Sequence, residues 1–157
     1  MMCLWSTLAL AAPPEQPLPA HGEHVDLFSV EGYGQAFGGI AVVVHEGPIF
    51  ALEALTPAGP PLFTVRVEGG RTTIDALDPG LGELLGRLPF DRDLAALYLV
   101  DGSRRVRVLD FRVRPRSDGW VVGGPRGRAR VRREGEGLVL SDRLRGYRLT
   151  VTPLDEG

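Results

Sequence analysis

Along most of this chain apolar and polar residues alternate with a period of two, the signature of strands whose two faces meet different surroundings. Residues 49–67 carry the clearest case. Phe63, Val65 and Val67 fall on one face, and Thr64, Arg66 and Glu68 on the other. Just before them, Phe50, Leu52 and Ala54 alternate with Ile49, Ala51, Glu53 and Leu55, so that strand is largely apolar on both faces. Thr56, Pro57, Ala58, Gly59, Pro60 and Pro61 lie between the two and form a stiff hairpin tip. Further strands are expected over residues 25–31, 40–46, 72–75, 104–114, 120–122, 127–133, 138–140 and 146–152, giving nine or ten in all with no internal repeat. In the 127–133 segment Ala129 and Val131 alternate with Arg128, Arg130 and Arg132, and in the last strand Tyr147, Leu149 and Val151 point inward. Residues 104–114 slip in phase, since Val106 and Val108 are even while Phe111 and Val113 are odd. A bulge near Leu109 and Asp110 reconciles the two halves. The glycine-rich residues 32–39 precede a β-branched run rather than a helix, which favours a bent strand or bulge over a phosphate loop.

The period changes once. Asp78 followed by Pro79 is a helix start, and Leu81, Leu84, Leu85 and Leu88 then fall on one helical stripe. Gly82 and Gly86 weaken this helix by roughly 1 kcal/mol each relative to Ala, so it depends on packing. Pro89 ends it. Asp91 is placed to cap a second short helix over residues 92–99, with Leu94, Leu97 and Tyr98 on one side. The pattern predicts a mainly β (α+β) domain over residues 24–157, with two short helices inserted once among the strands.

Composition adds three constraints. The single cysteine, Cys3, excludes an intrachain disulfide framework and a cysteine-based zinc site. All 18 basic residues are arginine, which removes lysine chemistry altogether. The net charge of −2 conceals a split: residues 1–100 hold four arginines against twelve acids, and residues 101–157 hold fourteen against eight. Such a split fits an anionic partner for the basic half, or complementary surfaces within one sheet. Residues 1–23 read as an address followed by a linker. Residues 4–12 are apolar with small residues at the end, and a proline-rich stretch follows. This is the core of a truncated secretory signal, or Cys3 is the lipid acceptor of a lipoprotein.

Few constellations carry chemistry. There is no GxSxG, HExxH, CxxC or Walker motif. His21 and His24 lie three apart, so on a strand they point to opposite faces and do not converge on a metal with Asp26. Asp91 and Asp93 read as helix-start residues. The row Arg128, Arg130 and Arg132 lacks the interleaved aromatics that single-stranded nucleic-acid binding uses, leaving a solvated face or an anionic partner. No nucleic acid, cofactor, metal or catalytic group is expected.

The order of features resembles the LolB-like outer-membrane lipoproteins. The resemblance rests on a sorting segment with a proline-rich linker, the LTPAGPPLF hairpin, the ALDPGLGELLGRLPF helix, RVRVLDFRV with DGWVV, and a closing GYRLTVTPLD strand. It spans residues 24–154. It implies a curved antiparallel half-barrel whose concave face is covered by the two helices, enclosing an apolar cavity for acyl chains. It also implies a non-enzymatic, monomeric protein on the periplasmic face of the outer membrane, working in lipoprotein or lipid reception with a periplasmic carrier. Phe50, Leu52, Phe63, Val65, Leu84, Leu88, Leu97 and Trp120 would then line the cavity, and residues 56–61 would face the membrane. Ala58 stands where the family presents an exposed leucine, which weakens anchoring by roughly 1–2 kcal/mol. With the same fold but without transfer activity, the chain would be an envelope binding or scaffold module that meets an anionic partner through its arginine-rich face.

Overall fold

In the computed structural model of the chain, residues 12–58 and 60–154 are described. The expected leader, including Cys3, lies almost wholly outside them, as does Gly59. Eleven strands form one unclosed, curved, wholly antiparallel sheet, with two short helices. The strands are β1 (Gly22–Gly32), β2 (Gln35–Glu46), β3 (Ile49–Leu55), β4 (Pro61–Glu68), β5 (Arg71–Ala76), β6 (Val106–Val108), β7 (Phe111–Arg116), β8 (Gly119–Gly124), β9 (Gly127–Glu134), β10 (Gly137–Asp142) and β11 (Tyr147–Pro153). Their spatial order is β5-β4-β3-β2-β1-β11-β10-β9-β8-β7-β6. The first and last strands therefore pair at the centre, with Phe28 opposite Val151 and Val30 opposite Leu149. The two edges, β5 and β6, are joined through residues 77–105.

This joining segment holds the helices. In α1 (Pro79–Leu85) the Asp78 carboxylate accepts from the backbone N–H of Gly80 and Leu81, as the sequence predicts. The second helix differs from expectation. α2 (Phe90–Leu94) starts after Pro89, not at Asp91, and runs on as one π turn over Ala95–Leu99. Its residues are buried almost without a break: Phe90, Leu94, Ala95, Ala96, Leu97 and Leu99 join a single core with the inward side chains of the sheet. The Trp120 indole N–H donates to the Ala96 carbonyl at 3.1 Å. That bond gives a carbonyl inside the core a side-chain partner from the sheet.

Two more expectations are corrected by turns. The phase slip in residues 104–114 is not a bulge. It is a tight hairpin between β6 and β7, with Leu109 at φ 56°. The glycine-rich segment is likewise a two-residue hairpin, Tyr33 at φ 54° and Gly34 at φ 75°, from which β2 runs on. Two consecutive positive φ values are what the right-handed twist of the flanking strands favours. Elsewhere the alternation holds: Phe63, Val65 and Val67 are buried on β4, Ala129 and Val131 on β9, and Tyr147, Leu149 and Val151 on β11. The proline-rich stretch expected as a linker lies along the β6 edge. The Arg107 N–H donates to the Pro14 carbonyl and the Gln16 N–H to the Arg107 carbonyl. These bonds occupy an edge that would otherwise offer free backbone groups.

Leu85 is fully buried on α1. Leu85→Ala should lower the unfolding free energy of the full chain in urea by about 2–5 kcal/mol. A change near zero would show that α1 does not belong to the core.

Candidate functional site

The eight residues expected around a cavity are brought to one side of the sheet. Phe50, Phe63, Val65, Leu88, Leu97 and Trp120 are members of the continuous core, and half-buried Leu52 packs against it. Leu84 is buried as well. Phe63 also meets Phe28 and Phe37 edge to face at 5.9 and 6.0 Å between ring centroids. Two open concavities are described, and none of the eight residues lines either of them. At the hairpin tip Thr56 is half-buried, while Pro57, Ala58 and Pro60 are exposed and Pro61 opens β4.

Both concavities lie on the opposite, outward face, and strand register explains them. Arg112 on β7 lies opposite Gly123 on β8, which lies opposite Arg128 on β9. One row along, Arg114, Val121, Arg130, Ser141, Arg148 and Glu31 follow one another from β7 to β1. The next row begins Arg116, Gly119, Arg132 and Val139. Columns of arginine on β7 and β9 thus alternate with columns of small residues on β8 and β10. Neighbouring strands are about 4.8 Å apart, so the arginine columns stand about 10 Å apart, with about 6.7 Å between arginines along a strand.

The small columns form the floors of two troughs. One, of about 910 Å³, lies over β10 and is lined by Arg128, Arg130, Arg132, Arg148 and Ser141 among others. The other, of about 470 Å³, lies over β8 between Arg112, Arg114 and Arg128. Val121 and Val139 face outward yet are buried, as long arginine side chains, which lay their aliphatic stems along apolar surface, would make them.

Part of this charge is neutralised. Arg130 binds both carboxylate oxygens of Asp118 at 2.9 Å, which holds that carboxyl below its ordinary pKa, and Arg132 meets Glu134 at 3.0 Å. Among the described residues, Arg112, Arg114, Arg116, Arg128, Arg143 and Arg148 have no carboxylate within salt-bridge distance. The 128–132 row was legible in the sequence. The matching row on β7 carried the same every-second-residue signal, but only register places the two side by side.

Two buried polar clusters escaped sequence reasoning. Asp93 lies in the first turn of α2, as expected of a helix-start residue, but its side chain is buried. The Arg92 guanidinium donates to it at 2.7 and 2.9 Å, and to the Tyr147 hydroxyl at 2.8 Å; that hydroxyl in turn donates to Asp93. Arg92 also meets Asp142 at 2.9 Å, and Asp142 receives Arg145 at 3.0 Å. Burial pushes the Asp93 carboxyl up to about 6 against the pull of Arg92, whereas the backbone N–H of Arg145 and the guanidinium of Arg92 hold Asp142 low despite its burial. The signal in the sequence was an Arg-Asp pair at the head of an apolar run, residues 94–100.

The second cluster gathers around His24. That side chain points inward, with its ring 4.7 Å from Tyr98 and 5.5 Å from His45. The Tyr98 hydroxyl donates to Asp26 at 2.5 Å. His45 comes from β2, so spacing along β1 could not predict the meeting. Burial and the neighbouring His24 and His21 hold the His45 pKa below 6.5. Neither trough reaches this cluster. Among the described residues no group of three or more His, Cys, Asp or Glu is placed to hold a metal ion, and no helix is long and apolar enough to cross a membrane.

No protein-family model matches the chain, and no curated protein matches it significantly.

A pH dependence follows from the histidine. The unfolded chain protonates His45 near 6.5, while the folded chain resists protonation. The stability contributed by neutral His45 is complete above that pH and declines as pH falls below it. Asp93 has the opposite sign: with its folded pKa raised to about 6, acidification from there towards 3.8 favours the folded state. Because Asp93 is common to parent and variant, His45→Phe should show a shallower fall in Tm than the parent between pH about 7 and about 5.5. Parallel curves would remove His45 from the acid response.

Proposed function

We propose that this chain is a non-enzymatic binding module of the cell envelope, a half-barrel of the LolB-like kind that docks through its arginine-ruled outer face onto an anionic partner. The observation that carries this reading is the register that sets the β7 and β9 arginine columns on either side of a small-residue floor. Rows at about 10 Å by about 6.7 Å present many guanidinium groups to a surface or polymer of repeating negative charge. The absence of aromatic side chains from the rows argues against stacked bases. The full chain should be retained on immobilised heparin in a salt-dependent manner. Arg112→Glu, Arg128→Glu and Arg148→Glu combined should elute at markedly lower salt, and Arg66→Glu on β4 should elute with the parent. Equal elution of the triple variant and the parent would overturn the reading.

A second reading, reception of acyl chains, has one observation in its favour. The two helices would cover the concave face, and α1 is held there unequally. Arg92, Tyr98 and the Ala96 carbonyl tie α2 and its π turn to the sheet through hydrogen bonds. Among the described residues α1 makes no side-chain hydrogen bond to any strand, and apolar packing of Leu81, Leu84 and Leu85 holds it. Such an element opens at lower free energy than its neighbours, so the cavity would form when α1 lifts. A fluorescent fatty acid should then bind the full chain, and Leu84→Asp should abolish uptake while far-ultraviolet circular dichroism still reports the sheet. No binding by the parent would dispose of this reading.

A further inference from the structure

The direction of each strand assigns every hairpin turn to one of two rims. β1 ends, and β11 begins, at the same rim, since Gly32 pairs with Tyr147. Counting outward, the turns β1–β2, β3–β4, β6–β7, β8–β9 and β10–β11 lie on this rim, as does the exit from β5. The turns after β2, β4, β7 and β9 lie on the other. Four large apolar side chains are strongly exposed among the described residues: Leu27, Tyr33, Leu77 and Leu144. Three of them, all but Leu27, sit on the first rim. Arg126, Arg143 and Arg145 occupy hairpin turns of the same rim, whereas the turns of the other rim hold neither an arginine nor a large apolar side chain and include Asp118 and Glu136.

We infer that this rim is a docking site for an anionic phospholipid bilayer, with Leu144 as its apolar anchor. The inference rests on the anionic-docking reading above and names the partner. A single exposed leucine is ordinary surface; three features set this one apart. It is 90% exposed, the most exposed large apolar side chain described. It stands beside Arg143, which has no carboxylate within salt-bridge distance among the described residues, so insertion to the headgroup boundary brings that cation to the phosphates, while Arg145 is held by Asp142. And its turn is held in place. The Asp142 carboxylate accepts from the Arg145 N–H at 2.9 Å and the Asp142 carbonyl from the Gly146 N–H at 2.8 Å, while Arg92 fixes Asp142 from inside the core. The anchor is thus presented without an ordering cost at the moment of contact. Arg112 and Arg128 form the arginine row nearest this rim and continue the positive charge onto the outer face.

The test uses the full chain and vesicles of phosphatidylcholine with or without phosphatidylglycerol, read by co-sedimentation beside heparin retention. The expected result is binding to the phosphatidylglycerol vesicles only, weakened by salt. Leu144→Ala should reduce vesicle affinity about ten-fold while heparin elution is unchanged. The Leu144→Trp variant should bind like the parent and shift its emission to the blue when vesicles are added. Heparin retention with no vesicle binding, or vesicle binding that Leu144→Ala leaves intact, overturns the bilayer assignment and leaves a soluble polyanion as the partner. Loss of both activities in the parent overturns the anionic reading itself. Since Leu144 is exposed, a folding defect in its variants is not expected to confuse these outcomes.

Discussion

The structure depends on one crossing. Because β1 and β11 pair at the centre of the sheet, the chain reaches both edges in mid-sequence, and β5 must be joined to β6 across the full width of eleven strands. Ten inter-strand steps of about 4.8 Å put those edges about 48 Å apart along the sheet. The segment that joins them packs on the buried face and so becomes the second layer of the domain. Its sequence answers that demand. Leu85, Leu88, Phe90, Leu94 and Leu97 supply apolar area, and Ala95 and Ala96 let the backbone come close enough for Trp120 to reach a carbonyl.

A backbone segment driven through a core brings polar groups with it, and these must be satisfied where they lie. Two clusters do so. The Tyr98 hydroxyl donates a hydrogen bond to Asp26 on β1, and Arg92 binds Asp93 on its own helix and Asp142 and Tyr147 across the sheet. Burying such charges is costly, and pairing recovers the loss only when geometry and further hydrogen bonds are good. Here the four-residue group of Arg92, Asp93, Asp142 and Arg145 is electrically neutral, and Tyr147 closes it. The cluster ties α2 to β10 and β11, because the Arg92 guanidinium meets Asp142 and Tyr147 across the sheet. The same fixation continues outward, because Asp142 shapes the turn that presents Leu144.

Much of the fold was legible in the sequence, for physical reasons specific to its elements. Period-two patterning located β4, β9 and β11, since each has one wet and one dry face, and Asp78-Pro79 marked α1 because both residues suit a helix entry. Two kinds of feature were not legible. A two-residue hairpin at Leu109 and Asp110 mimics a bulge, since either device shifts the phase by one residue and the unusual φ falls on a leucine rather than a glycine. Contacts between distant strands were the other. His24 meets His45 through β1–β2 pairing, and the arginines of β7 flank those of β9 through β8. No local rule joins Arg92 to Tyr147, 55 residues apart. The residues expected around a cavity share one buried side of the sheet; local patterning could not decide whether the crossing segment fills the space before them.

The two faces of the sheet therefore carry different physics. Inside, aromatic and branched side chains form one continuous core. Outside, the arginines on β7 and β9 face no second layer among the described residues, and many lack a carboxylate partner. A row of like charges at about 6.7 Å raises the free energy of the isolated protein, and a partner of opposite charge relieves it. An apolar side chain held rigidly at the end of those rows adds what screened charge alone cannot provide, an attraction that salt does not weaken. On a bilayer of the kind proposed, charge would govern approach and apolar burial residence, and one turn would supply both, with Arg143 and Leu144 adjacent on a single hairpin and Arg145 holding that turn through Asp142.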